Sequence, residues 1–182
     1  PNPLLNPDPD QSVPGLIAVS ERIYPNQLLQ AYKLGIFPWY SDEQPVLWWS
    51  PDPRFVLYPD ALRVSKSMRQ VMKRGEFDFR VDSAFADVIN NCRHVERKDM
   101  DGTWISDDVE QAYTDLHKLG YAHSAEAWKD GKLVGGLYGI LLGQMFFGES
   151  MFSTEANASK FAFINWVDEL KARGIVLIDC QV

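Results

Sequence analysis

AHSAEAW (122–128), KLVGGLYGILL (132–142) and MFFGESMF (145–152), broken by Asp130-Gly131 and Gly143-Gln144, decide the fold. Each run is of strand length, the second and third mainly apolar, and each break is a two-residue, glycine-containing pair that folds its flanking strands back antiparallel. The expectation is a three-stranded meander. Behind it, NASK (157–160) opens a helix with Phe163, Trp166, Val167 and Leu170 on one face, Gly174 stops it, and IVLIDCQ (175–181) reads as a buried strand.

Toward the N-terminus, Ser106 caps a helix that carries Asp107 and Asp108 in its first turn, Val109, Ala112, Leu116 and Leu119 on one face, and Gly120 as its stop. SAFADVINNC (83–92) and the segment 65–74 have helical spacing. Earlier still, QLLQAYKL before Gly35 reads as a short helix, and VLWWS (46–50) and RFVLY (54–58) as strands joined by Pro51-Asp52-Pro53. The proline-rich first fifteen residues read as an irregular lead-in. This order of elements predicts an α+β protein: a small N-terminal α/β domain (1–62), then a domain (63–182) with a mixed, mainly antiparallel central sheet flanked by helices. The second domain is similar in architecture to the acetyltransferase-like (GNAT-like) fold.

Length (182 residues) is enough for a self-sufficient core, and no run of about 18 apolar residues suggests a membrane span. Two cysteines, Cys92 and Cys180, are too few for a disulfide framework, so a cytoplasmic location is the default expectation. A net charge of −7 argues against indiscriminate nucleic-acid binding. One basic island stands out against it. Arg63, Lys66, Arg69, Lys73, Arg74 and Arg80 lie within RVSKSMRQVMKRGEFDFR, with Lys66, Arg69 and Lys73 on one helical face, a geometry that tracks a phosphate backbone or simply faces solvent.

Two strands carry acids. Desolvating an unpaired carboxylate costs several kcal/mol, so Glu149 in FFGESMF and Asp179 in LIDCQ must be paired or in use. Period two puts Asp179 and Gln181 on one face of the last strand and turns Cys180 to the other, where it is expected to be a buried structural cysteine. No metal-ligand spacing links these acids to His94, His117 or His123, and Ser150 is not in a nucleophile elbow. Neither a metal nor another cofactor is expected. Coenzyme A is disfavoured in particular, since STEANASK (153–160), between strand and helix, lacks the glycines of a pyrophosphate loop. Trp39 and Trp104, both in loops, could stand at the mouth of a site as stacking platforms for a nucleobase, whereas Trp48 and Trp166 read as core.

GIFPWY (35–40), LWWSPDPR (47–54), GTWI (102–105), KLVGGLYG, FFGESMFS (146–153), NASK and LIDCQ (177–181), in this order, resemble the leucyl/phenylalanyl-tRNA-protein transferases. The resemblance implies transfer of leucine, phenylalanine or methionine from aminoacyl-tRNA to the N-terminal arginine or lysine of a protein, which creates a degradation signal. It implies a polar centre of Asp179, Gln181 and Glu149, with Trp39, Trp104 and Tyr32 at the 3′ adenosine. An apolar pocket for the transferred side chain is expected from among Leu137, Phe146, Gly148, Met151, Phe163, Trp166 and Ile178. The basic residues Arg63, Lys66, Arg69, Lys73 and Arg74 become a clamp on the acceptor stem. Asp179, through Gln181, is the expected orienter and proton acceptor of the attacking amine, with the terminal ribose hydroxyl as the rival shuttle. The family continues past LIDCQ, so a C-terminal segment is expected to be missing here and the last strand to lie bare at its edge. The competing readings are a coenzyme A dependent N-acetyltransferase and a non-catalytic RNA- or peptide-binding module.

Overall fold

The computed structural model describes residues 13–40, 44–95 and 105–181. The meander forms with the expected turns: β6 (Ala122–Lys129) and β7 (Lys132–Leu142) meet at Asp130 and Gly131, both at positive φ, and β8 (Met145–Ser153) returns along β7. Glycines in β7 have steric causes. A Cβ on Gly135 would lie 2.6 Å from the Ala158 side chain, and one on Gly139, opposite Gly148 at a bulge, 2.1 Å from the Phe147 carbonyl oxygen.

Ala158–Ala172 is a helix that crosses one face of this meander, burying Phe161, Trp166, Val167 and Leu170, and delivers the strand Leu177–Asp179 parallel to β8. Phe163, expected on the buried face, is half-buried instead. Two further strands lie at the flanks. Asp78–Val81 adds an edge strand beside β6, its exposed Asp78 and Arg80 discouraging further pairing. Val56–Leu57 pairs antiparallel with Leu177–Asp179 on the opposite flank. Numbered in chain order, these are β4 (Val56–Leu57), β5 (Asp78–Val81), α5 (Ala158–Ala172) and β9 (Leu177–Asp179), and the sheet runs β4-β9-β8-β7-β6-β5. The expectation of a bare last strand is therefore corrected: β4 covers it. Strand β4 precedes residue 62 yet belongs to the large sheet.

The remaining strands, β1 (Leu16–Ser20), β2 (Phe37–Pro38) and β3 (Val46–Trp49), form a separate antiparallel sheet in the order β1-β3-β2. The two strands expected on either side of Pro51-Asp52-Pro53 thus part company, β3 into the small sheet and β4 into the large one. Four more α-helices lie among the described residues, α1 (Pro25–Lys33), α2 (Lys66–Arg74), α3 (Phe85–His94) and α4 (Asp107–Lys118), with a single 3-10 turn at Pro59–Ala61. Ser65 caps α2 by accepting from the Met68 amide (3.2 Å), and Ser106 caps α4 by accepting from the Val109 amide (3.3 Å).

Period two splits the large sheet between two cores. Phe147, Tyr138 and Ile140 pack with α1, α3 and α4, whereas Phe146, Leu137 and Ile178 pack with α2 and α5. The protein is a mixed α/β structure with a mixed central sheet. None of the described helices is long and apolar enough to cross a membrane.

Candidate active site

Strand β8 carries Glu149 past the two buried phenylalanines to a point where three separate elements converge. From α1, the Tyr32 hydroxyl donates to Glu149 Oε1, and from α4 the Tyr113 hydroxyl donates to Oε2 at 3.2 Å. The two phenol oxygens are themselves 2.5 Å apart. Beyond β9, Gln181 Nε2 donates to Glu149 Oε1 at 2.8 Å.

The Glu149 carboxyl stands at about 7 rather than its ordinary 4.5, and burial is the largest cause. Hydrogen bonds from Tyr32, Tyr113 and Gln181 offset part of the burial effect, while the negative Asp179 adds to it. The same burial, with Glu149 alongside, holds both phenols well above 10, so they remain donors.

Asp179, buried in β9, is held from the opposite side by Arg54. The guanidinium donates from Nε to Oδ1 (2.9 Å) and Oδ2 (3.0 Å) and from Nη2 to Oδ2 (2.7 Å). The backbone amide of Gln181 adds a bond to Oδ1 at 2.8 Å. Gln181 is not a strand residue; it sits at φ 67°, and that turn, rather than strand alternation, aims its side chain at Glu149. Its Oε1 has no hydrogen-bond donor among the described residues.

A cavity of about 320 Å³ opens beside Glu149. Six of the residues expected in the side-chain pocket line it: Leu137, Phe146, Gly148, Met151, Phe163 and Ile178. Trp166 does not; it is fully buried, edge-on behind Phe146 with ring centroids 5.4 Å apart. Cys180 lines the cavity as well, which corrects its expected place away from the site, and burial followed by the Asp179 charge raises its thiol.

The aromatic expectations divide. Trp39 is exposed, its ring edge-on to Trp49, whose indole nitrogen donates to the Trp39 carbonyl at 2.7 Å. Tyr32 is 2% exposed, packed against Phe147 with its hydroxyl spent on Glu149, so it offers no face to a nucleobase and its expected place at the adenosine is corrected. Trp104 lies outside the described residues. Arg63, Lys66, Arg69, Lys73 and Arg74 are all exposed on or beside α2, and of these only Arg74 has an acidic partner among the described residues, Glu76 at 3.5 Å.

Sequence reasoning missed Arg54 and Tyr113. Arg54 closes LWWSPDPR, quoted above for its resemblance without a role, and Tyr113 stands among the buried positions of α4 beside Ala112 and Leu116. A polar tip on a buried helix face was the available signal for Tyr113.

Residues 56–182 match the family described as leucyl/phenylalanyl-tRNA protein transferase, and residues 22–52 match its N-terminal domain. The chain belongs to this family. A protein of Saccharophagus degradans named leucyl/phenylalanyl-tRNA--protein transferase is 54% identical over 92% of this chain and 69% of its own length. Like-named proteins of Aromatoleum aromaticum and Myxococcus xanthus are 54% and 50% identical, over 96% and 100% of this chain and 72% and 78% of their own lengths. A solved structure described as that of L-PGS from Bacillus licheniformis superposes with a TM-score of 0.49 at 12% identity, over 90% of this chain and 51% of its own, a likeness too loose to bear on chemistry.

Proposed function

We infer that this chain is an aminoacyltransferase that moves leucine, phenylalanine or methionine from aminoacyl-tRNA to the N-terminal arginine or lysine of a protein, leaving an N-terminus that marks the acceptor for degradation. The observation that carries the site assignment is the apolar cavity with Glu149, which accepts from Gln181, in its lining, in a chain of this family. The cavity takes the side chain of the transferred residue. The ester carbonyl then lies toward Glu149.

Aminoacyl-tRNA is an activated ester, so the reaction needs no nucleotide hydrolysis. The acceptor amine attacks the carbonyl carbon, the C–N bond forms, the bond to the ribose oxygen breaks, and that oxygen leaves with a proton. An α-amino group has a pKa of about 8 and must lose a proton before attack. Glu149, raised to about 7, is matched to take it, a role worth about 10² to 10⁴ in rate. Gln181, donating to Glu149 through Nε2, presents Oε1 to the incoming N–H. Asp179, the expected base, is ion-paired with Arg54 and, unlike Glu149, does not line the cavity, and we reassign it to positioning.

Trp39, with Trp104, holds the 3′ adenosine, and the exposed cations of α2 hold acceptor-stem phosphates. The meander followed by α5 and the parallel strand β9 supports an acetyltransferase-like fold for the larger domain. Coenzyme A is a poor fit. The approach to α5 carries Glu155 in place of glycines, and the Ser159 amide is already bonded to Ser153 Oγ at 3.2 Å. We place the enzyme in the cytoplasm, where charged tRNA is found.

The test is transfer of labelled leucine or phenylalanine from charged tRNA to peptides that differ only in N-terminal arginine or alanine, with Glu149→Gln alongside. The arginine peptide alone should be labelled, and the variant should fail. Absence of transfer by the folded parent rejects the reading in favour of a binding module.

A further inference from the structure

We propose that Arg54 is a positioning residue that ties the strand leading into Trp39 to the catalytic turn and thereby sets the Gln181 carboxamide for attack; this rests on the functional reading above. Gln181 occupies the left-handed region at φ 67°, which a residue with a Cβ seldom enters without being held there. What holds it is the bond from its amide to Asp179 Oδ1. That oxygen also receives Arg54 Nε at 2.9 Å, while Nη2 grips the other oxygen at 2.7 Å. The fork therefore locks the Asp179 carboxylate in one orientation, the carboxylate fixes the Gln181 backbone, and the backbone points the side chain at Glu149.

The same guanidinium lies 4.7 Å over the Phe37 ring, in β2 of the small sheet. Two residues on from Phe37 is Trp39. Backbone bonds reinforce the junction, since the Cys180 amide donates to the Phe55 carbonyl (2.9 Å) and the Phe55 amide to the Gln181 carbonyl (3.4 Å). Among the described residues, no other cation is paired with Asp179. A group that only stabilised the fold would have no reason to bridge the nucleoside platform and the turn presenting Gln181.

The experiment uses the whole chain with Arg54→Gln and Arg54→Lys. Three quantities are measured: the single-turnover transfer rate at saturating charged tRNA, the Kd for that tRNA, and the Gln181 side-chain amide resonance by 15N NMR. Loss of the fork should slow transfer by about 100-fold in Arg54→Gln and about 10-fold in Arg54→Lys, which keeps the charge without the bidentate geometry, while Kd moves less than about 3-fold. The Gln181 resonance should shift toward that of an unrestrained carboxamide in both. Should Arg54→Gln not fold, Arg54→Lys decides alone. A parent-like rate with a parent-like Gln181 resonance overturns the inference. A parent with no transfer at all defeats the functional reading instead, and the Gln181 resonance then decides the role of Arg54 by itself.

Discussion

Two of the carboxylates inside the large sheet, Glu126 and Glu149, have opposite surroundings. Glu126 of β6 is fully buried and accepts from the Ala84 amide (2.8 Å), the Ser124 hydroxyl (2.8 Å) and the Trp128 indole (2.9 Å). Two of these donors are its own strand neighbours, and the third is the N-terminus of α3, which favours negative charge. Glu149 of β8 collects its donors from α1, α4 and the turn after β9, it lies within the field of another acid, Asp179, and a cavity opens beside it. Burial alone therefore does not mark an active acid. Donors converging from remote elements, a like charge and space for a ligand together do.

The largest effect expected from this contrast is on rate. Glu149→Gln should cut transfer by about 10² to 10⁴, whereas Glu126→Gln should leave the rate within about 3-fold and lower stability by about 1–3 kcal/mol. Parallel kinetics and urea melts of the two variants check this, and equal rate losses would erase the distinction.

The partnered glycines 139 and 148 sharpen it next. Gly139→Ala forces a Cβ to 2.1 Å from a carbonyl oxygen and should lose several kcal/mol of stability, whereas the nearest atom to a Cβ at Gly148 is the Asp179 carbonyl oxygen at 3.6 Å. Gly148→Ala should therefore fold with little change in thermal midpoint. Its methyl would narrow the cavity, so transfer of phenylalanine should fall by more than that of leucine, roughly 10-fold in relative kcat/KM. Equal loss for both amino acids would place the side-chain pocket elsewhere.

A smaller effect concerns pH. Because folded Glu149 holds its proton up to about 7, against 4.5 ordinarily, the native state binds more protons than the unfolded chain across that window. Its contribution makes stability fall as pH rises through the window, the reverse of an ion-paired acid, and Glu149→Gln should flatten the slope. Tyr113→Phe removes a donor that favours the carboxylate and should move the acid limb of the pH–rate profile upward by about one unit. An unmoved limb would detach the titrating group from Glu149.

The mildest changes belong to the exposed basic face. Lys66→Ala, Arg69→Ala and Lys73→Ala should each weaken tRNA binding modestly and reduce the slope of log affinity against log salt by about one, with the rate at saturating tRNA preserved. A slope that does not respond assigns that side chain to solvent.

By itself, the sequence determined whatever depends on residues within a few positions of one another. The turn at Asp130-Gly131, the serine cap of α4 and the glycine stops are all local, and all were legible. The family strings were legible as well, since resemblance compares residues without needing their contacts. Strand β5 was missed because a short edge strand of mixed residues has little periodicity to read, and β1 and β2 because runs of five and two residues show too little alternation to read. The tertiary structure alone decided the pairings between distant positions. Arg54 meets Asp179 across 125 residues and Tyr32 meets Tyr113 across 81, while β4 leaves its sequence neighbour β3 to lie beside β9. Such contacts carry no local signature, because what selects them is the shared need of buried polar groups for partners once the sheet has brought them out of water.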